Sequence, residues 1–424
     1  MPNDDLQLAQ SEQTFPLSKR RPWLVASLLF VVALINYFDR QSLSVVAPRF
    51  QQELHLSDQG YGHVVSLFLL ASAFAYAASG FITDRFGTRR SMALFVGWWS
   101  LAEAATAFAT STFQLSFARF CLGLGEPGLW VAAPKAVGES FERPQRGLAI
   151  GIYTMGATVG AVVAIPIIAA ITMHLPWKAV FLIDGAAGLL WLPFWLFGYR
   201  DGMVAQSTTG SVLREVLARG KTWKLMVARG LTDPVWYFYL FWFPKYLLTV
   251  RHLSMGQLAR VGWIVYLAAG IGTLLGGVVS GKLIRRGMSA AFAYRRIMLI
   301  SAILIPLSPL AGFVQTAAFA IGIASVIALA HMAWLVNLTS TIVELFPANQ
   351  VGKAAGLVAA GSGLGGMVSS EIIGYLVTHQ GYLPVFYIMA VLHPVALVIL
   401  WKAFADTPNS GTLSAASRTV TAAP

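Results

Sequence analysis

Along this chain, long apolar blocks alternate with short polar breaks. The blocks begin near residues 23, 60, 91, 112, 148, 177, 224, 258, 293, 316, 352 and 381. A helix needs about 20 apolar residues to cross a bilayer, and each block comes close to that length. Backbone groups inside lipid must bond within their own segment, so the pattern predicts twelve transmembrane helices and an all-α membrane protein. The longest internal polar break lies between the sixth and seventh blocks, over residues 198–224, and a short surface helix is expected there at 211–220. The expected organisation is an N-terminal tail over 1–22, a six-helix half over 23–199 and a linker over 200–223. A second six-helix half follows over 224–404, with a C-terminal tail over 405–424.

Charge orients the bundle. The formal net charge is +12, and the basic residues gather in alternate loops. Lys19, Arg20, Arg21, Arg85, Arg89, Arg90, Arg143 and Arg146 would share one side with the linker. By the positive-inside rule this is the cytoplasmic side, with both termini on it. The basic residues are spread over separate short loops, which argues against a nucleic-acid surface. Cys121 is the only cysteine, and no phosphate loop or metal-ligand spacing occurs; no cofactor and no metal are expected.

The halves repeat. The segment ESFERPQRGLAIGIYTMGATVGA from Glu139 aligns with ELFPANQVGKAAGLVAAGSGLGG from Glu344 at a constant offset. The match pairs Gly147 with Gly352, Gly151 with Gly356, and the GxxxG step Gly156/Gly160 with Gly361/Gly365. Such steps let helices approach closely, and two repeated halves with a site between them are an architecture of secondary transport.

The segment from Gly80 to Arg90, GFITDRFGTRR, matches the GxxxDRxGxRR motif between helices two and three of the major facilitator superfamily. The chain resembles that superfamily over residues 20–405. Within it, the chain looks like the anion:cation symporters, which include hexuronate, galactonate and glucarate permeases. That likeness rests on Asn36-Tyr37-Phe38-Asp39-Arg40, on Arg119 and Glu126 in RFCLGLGEPG, and on the stretch from Asp233 to Tyr246. The resemblance implies two pseudo-symmetric six-helix halves of the major facilitator fold and a conformational latch at Asp84, Arg85 and Arg89. Ser72, Ala157 and Gly363 stand where galactonate-type members tend to carry Tyr, Gln and Asn, which leaves the exact acid open.

The remaining expectations follow the intramembrane charges, which are costly enough to imply use. Arg40 is expected to bind a substrate carboxylate through its planar fork. Glu126 and Asp39 are expected to carry protons, since a carboxyl whose arginine partner moves away can take one up. Helix geometry places Asp39, Arg40 and Arg119 together in the outer half, with Glu126 deeper. Tyr37, Arg119, Tyr237, Tyr239, Trp242 and Asn337 complete the expected substrate-binding set. Glu103, Asp184, His331 and Glu371 are further ionisable residues at depth without an assigned role. The expectation is a monomeric proton-coupled importer of a small organic anion in the bacterial inner membrane, with a hexuronate or aldonate first. Alternatives are a small aromatic or dicarboxylic acid, or a transport-inactive membrane sensor. A phosphorylated sugar is weighed against on the ground that helix seven carries no deep arginine.

Overall fold

The computed structural model describes residues 22–201 and 209–405. The two tails before Pro22 and after Ala405, and residues 202–208 of the linker, lie outside the described residues. Among the described residues all regular structure is helical. In the N-terminal half run α1 (Pro22–Glu53), α2 (Asp58–Phe86), α3 (Thr88–Thr106), α4 (Thr112–Gly125), α5 (Pro127–Ser140), α6 (Arg143–His174) and α7 (Lys178–Gly198). The linker helix α8 (Thr209–Ala218) follows. The C-terminal half contains α9 (Gly220–Phe241), α10 (Phe243–Thr249), α11 (Met255–Val261), α12 (Ile264–Arg285), α13 (Ala290–Leu304) and α14 (Leu310–Phe313). It ends with α15 (Ala317–Leu345), α16 (Ala348–Gln380) and α17 (Leu383–Ala405). Chain reversals make these helices twelve crossings, with α4–α5, α9–α10, α11–α12 and α13–α14 each forming one broken crossing.

Nine spans among the described residues are long and apolar enough to cross a membrane by themselves. The three crossings outside that set are α3, α4–α5 and α9–α10. They carry Glu103, Arg119, Glu126, Arg229 and Asp233, so the crossings that look least like lipid-facing helices hold the chemistry. The breaks have local causes. Pro127 opens α5 directly after Glu126, and Pro244 follows Trp242, whose φ of −121° interrupts the helix. Proline supplies no amide hydrogen to a preceding turn and fits at the start of a helix. Side-chain caps from Ser57, Ser111, Ser254 and Thr316 open four helices on the side away from the linker. Linker helix α8 is docked against α16 rather than free on the surface: Val216 is fully buried and Gln350 donates to Glu215 (2.7 Å).

The internal repeat divides into two structural jobs. Gly156 and Gly160 press α6 against the backbone of Phe30 and Leu34 in α1. Gly361 and Gly365 press α16 against Met226 and Gly230 in α9. These contacts pack each half internally. By contrast, Gly147, Gly151, Gly352 and Gly356 have open space where a side chain would project.

That open space has a direction. On α2, Gly62 packs against Ser370 and Gly374 of α16, and Ala73 packs against Gly363. Gly80 lies seven residues beyond Ala73, hence on the same face, yet meets nothing. On α16, Gly356 and Gly352 lie seven and eleven residues before Gly363, again on that face, and are open. In the other pair, Gly270 of α12 touches Thr158 of α6, while Gly277 and Gly151 one or two turns on are open. The halves therefore meet on the far side and diverge toward the linker side. Hydrogen bonds crossing the far-side seam include Tyr61 to the Phe241 carbonyl, Gln59 N to Thr378 (2.9 Å), and ion pairs Lys245–Asp58 and His63–Glu371 (2.9 Å).

Candidate functional site

Near mid-membrane, α1 aims Asn36, Tyr37 and Arg40 at the seam. Arg40 Nε donates to Glu126 Oε2 at 2.7 Å, and the Glu126 side chain is fully buried. Glu126 joins α4 to α5: its backbone keeps helical angles (φ −55°, ψ −43°) and its N–H donates to the Leu122 carbonyl (3.1 Å), and Pro127 then removes the next amide donor. Trp130, one turn on, donates to Asn36 Oδ1 (3.2 Å) and stacks edge-on against Tyr37 (6.1 Å). The Arg40 guanidinium lies over the rings of Tyr37 (5.4 Å) and Phe68 (5.8 Å). Its two terminal nitrogens take no hydrogen-bond partner among the described residues, and neither does Glu126 Oε1.

Asp39 belongs to a separate centre. Adjacent residues on a helix point about 100° apart, so Asp39 faces the interior of the N-terminal half while Arg40 faces the seam. Carboxylate oxygens of Asp39, Glu103 and Asp184 lie within 4.8 Å of one another, all three residues buried. Arg119 pairs with Glu103 (2.8 Å), donates to Thr106 (2.6 Å), and lies over Phe181 (5.0 Å). The expected meeting of Asp39, Arg40 and Arg119 is thus corrected in part: Asp39 and Arg119 share one centre through Glu103, and Arg40 stands outside it. Arg40 takes Glu126, and Arg119 takes Glu103, because α3 supplies an acid that lies closer to Arg119 than its own helix-mate seven residues away.

The C-terminal half adds a third centre. Arg229 Nε donates to Asp233 Oδ2 one turn along α9 (3.0 Å). Ser362 of α16 donates to the same Asp233 oxygen and shares a 2.8 Å bond with the Tyr237 hydroxyl. Helix seven therefore does hold an arginine at depth, nine residues and about 14 Å into α9. The argument from its absence fails, because Arg229 lies inside the seventh apolar block, which begins near residue 224. An Arg–Asp pair four apart inside an apolar run was the available signal. Tyr76 was also missed. It lies one turn beyond Ser72 on α2, and interacts electrostatically with both Arg40 and Arg229.

The other expected residues are dispersed. Tyr237 faces the centre. Tyr239 is buried inside the C-terminal half, where its carbonyl accepts from Tyr266 (2.6 Å) and its ring packs on Phe243 (5.3 Å). Trp242 lies at the far-side seam, edge-on to Tyr61 (4.9 Å) with Lys245 over its ring (5.7 Å). Asn337 donates to the carbonyls of Ala333 (2.8 Å) and Gly276 (3.2 Å), tying α15 to α12. At the linker side, Asp84 pairs with Lys135 (2.8 Å), Arg89 donates to the Leu196 carbonyl (3.0 Å), and exposed Arg85 lies beside Phe86 (5.9 Å). Gly87 makes the turn between α2 and α3 at φ +80°, where a side chain would be strained and would meet Asp201. His331 bonds His393 (3.2 Å) deep in the C-terminal half.

Comparison with known proteins gives a consistent picture. Residues 29–339 and 287–423 match the family profile described as Major Facilitator Superfamily. The hexuronate transporter of Escherichia coli K12 is 25% identical over 410 residues, covering 91% of this chain and 94% of that protein. The D-galactonate transporter of Escherichia coli O6:H1 is 27% identical over 413 residues, covering 88% and 93%. Among solved structures, a bacterial homologue of the human lysosomal transporter Spinster, inward-facing and unoccupied, superposes with a TM-score of 0.70 at 21% identity, covering 92% and 96%. A D-xylose–proton symporter gives 0.71 at 15% identity, covering 90% and 97%.

Proposed function

The chain belongs to the major facilitator superfamily and is a multi-pass transporter, not an enzyme; from that premise we propose that it is a proton-coupled symporter of sugar acids in a bacterial inner membrane, working by alternating access. The buried Arg40–Glu126 pair carries this reading. Arg40 stays charged and offers its unused terminal nitrogens to a substrate carboxylate. When a carboxylate arrives, Glu126 loses its exclusive hold on Arg40 and neutralises by taking a proton, so anion and proton bind together. The Asp39–Glu103–Asp184 centre is a second proton store, since Arg119 balances only one of its three carboxylates. Hexuronates and aldonates are the starting candidates, in line with the relatives' names. The linker side, with Arg85, Arg89 and Arg90, is the cytoplasmic side, and the divergence of the halves there is the inward-facing state of the cycle.

The test is transport in proteoliposomes by Glu126→Gln, which keeps a hydrogen-bond acceptor for Arg40 but cannot exchange a proton. Counterflow of a labelled sugar acid should persist while accumulation driven by a pH gradient falls to background, and Arg40→Ala should lose counterflow too. Uphill uptake by Glu126→Gln, or uptake driven by sodium alone at equal pH, would overturn the coupling. Binding without any exchange by the unaltered protein would show a sensor instead.

A further inference from the structure

The C-terminal half holds an arginine that the reading above leaves without work. The Arg229 side chain is 21% exposed, unusually accessible for a guanidinium at this depth. Its Nε is committed to Asp233, while its two terminal nitrogens take no hydrogen-bond partner among the described residues. Arg40 has the same arrangement across the seam, with Nε on Glu126 and the terminal pair unused. A purely structural intrahelical pair has no need of two terminal nitrogens left unbonded.

Placement supports a joint site. Taken from their linker-side ends, Arg40 lies about 27 Å along α1 and Arg229 about 14 Å along α9. Arg229 reaches forward one turn to Asp233, while side chains on α1 lean back toward its N-terminus. An extended diacid held at both ends would have to span what remains of that axial difference of about 13 Å. Tyr237 packs on Phe241 (6.1 Å), which packs on Phe68 (5.8 Å), one of the two rings beneath the Arg40 guanidinium, so a chain of contacts runs from the Arg229 unit to Arg40. Tyr237 is tied through Ser362 to Asp233, so the tyrosine, the serine and the ion pair form one connected unit.

The geometry points to Arg229 as a second anion anchor: the preferred substrate is a small dianion with an acidic group at each end, one held by Arg40 and the other by Arg229. This rests on the sugar-acid reading and narrows it to sugar diacids, with Tyr76 and Tyr237 facing the hydroxylated carbons. It also gives the substrate a mechanical role. A monoacid on Arg40 engages only the N-terminal half, whereas a diacid bridges α1 and α9 and rewards closure of the halves on it.

Galactarate and galactonate make the test, because both are six-carbon open-chain acids that differ only in whether the sixth carbon is a carboxylate. Binding by the purified full chain would be measured by thermal shift and by competition in counterflow. Galactarate should bind tighter, by roughly 10- to 100-fold for one charged bidentate contact. Arg229→Gln should erase that preference while changing galactonate binding by less than about threefold. Arg229→Lys, which keeps the charge but not the fork, should give an intermediate loss and serves if the Gln variant does not fold. A galactonate preference in the unaltered protein, or equal losses for both acids in the variants, would overturn the diacid assignment and leave the sugar-acid reading standing. If neither acid bound the unaltered protein while a hexuronate such as galacturonate did, the diacid assignment would fall and the sugar-acid reading would stand; if none of the three bound, both would fall.

Discussion

The two halves share a fold and even a pattern of glycines, yet they differ sharply in what they bury. The N-terminal half encloses Asp39, Arg40, Glu103, Arg119, Glu126 and Asp184. The C-terminal half fills the equivalent volume largely with rings, from Trp236 through Tyr246 on α9 and α10; among its described residues the charges held at depth are the Arg229–Asp233 pair and Lys245, beside the His331–His393 pair. The shared part is packing: Gly156/Gly160 and Gly361/Gly365 do the same job in each half. What diverged is charge. Close helix packing is demanded by the fold and so survives in both copies, while buried ions cost energy and persist only where they are used. On the proposed reading, coupling resides in the N-terminal half, and the C-terminal half shapes the substrate site and closes the far side.

Removing one charge should therefore be far more damaging in the N-terminal half. Arg119→Ala strands Glu103 beside two other buried carboxylates, and breaking a buried pair on one side costs about 3–5 kcal/mol. The expected outcome is a large drop in melting temperature in detergent, or no folded protein at all. The double variant Arg119→Met/Glu103→Leu should recover most of it, because the uncompensated charge is gone. Arg229→Ala, with a partly exposed partner pair, should lower the melting temperature much less. Equal losses for Arg119→Ala and Arg229→Ala would dissolve the distinction between the halves.

Glycines sharpen the shared side of the comparison. A side chain on Gly365 would run into the Gly230 backbone, and one on Gly160 into Leu34. Gly365→Val and Gly160→Val should each cost about 1–3 kcal/mol of stability from overpacking. Gly151→Leu and Gly356→Leu occupy open space and should leave the melting temperature unchanged or slightly raised, since glycine disfavours helix interiors. Transport is a different matter. If the linker-side faces close during the cycle, these two variants should stop counterflow despite normal folding. Unimpaired counterflow by Gly151→Leu would mean that those faces never meet.

The sequence made the crossings legible because bilayer spans announce themselves by length, and the repeat was visible because glycine positions are fixed by backbone approach. Residues that would meet across helices were harder to read. Asp39 and Arg40 look like one site in the chain but diverge by about 100° on a helix, and Arg119, expected in the substrate-binding set, is held instead by Glu103 of α3. A break at Glu126 could not be placed from Pro127 alone, since proline is also tolerated inside membrane helices. Arg229 was lost for a different reason: it lies near the linker end of the seventh block rather than at its centre, although Asp233 four residues on would have signalled a satisfied pair. Tyr239 and Asn337 were expected at the site from residue type, and their rotation about the helix turned them into the C-terminal half instead.

The smallest expected effect concerns the seam where the halves touch. Lys245 and Asp58 come from opposite halves, and the lysine is almost fully buried beneath Tyr61 and Trp242 while the aspartate is partly exposed. Because Asp58 keeps solvent and the Gln51 amide (3.0 Å) as alternatives, loss of the lysine should cost closure only about 1 kcal/mol. A shift of that size moves the ratio of far-side-closed to far-side-open molecules by about fivefold. The readout is thiol labelling of Ser370→Cys, a buried position on α16 beside Gly62 of α2, with Cys121 replaced by serine. Lys245→Met should label about fivefold faster, with a melting temperature within a few degrees of the parent. An unchanged labelling rate would show that the aromatic packing of Trp242 on Tyr61, not the ion pair, holds the far side shut.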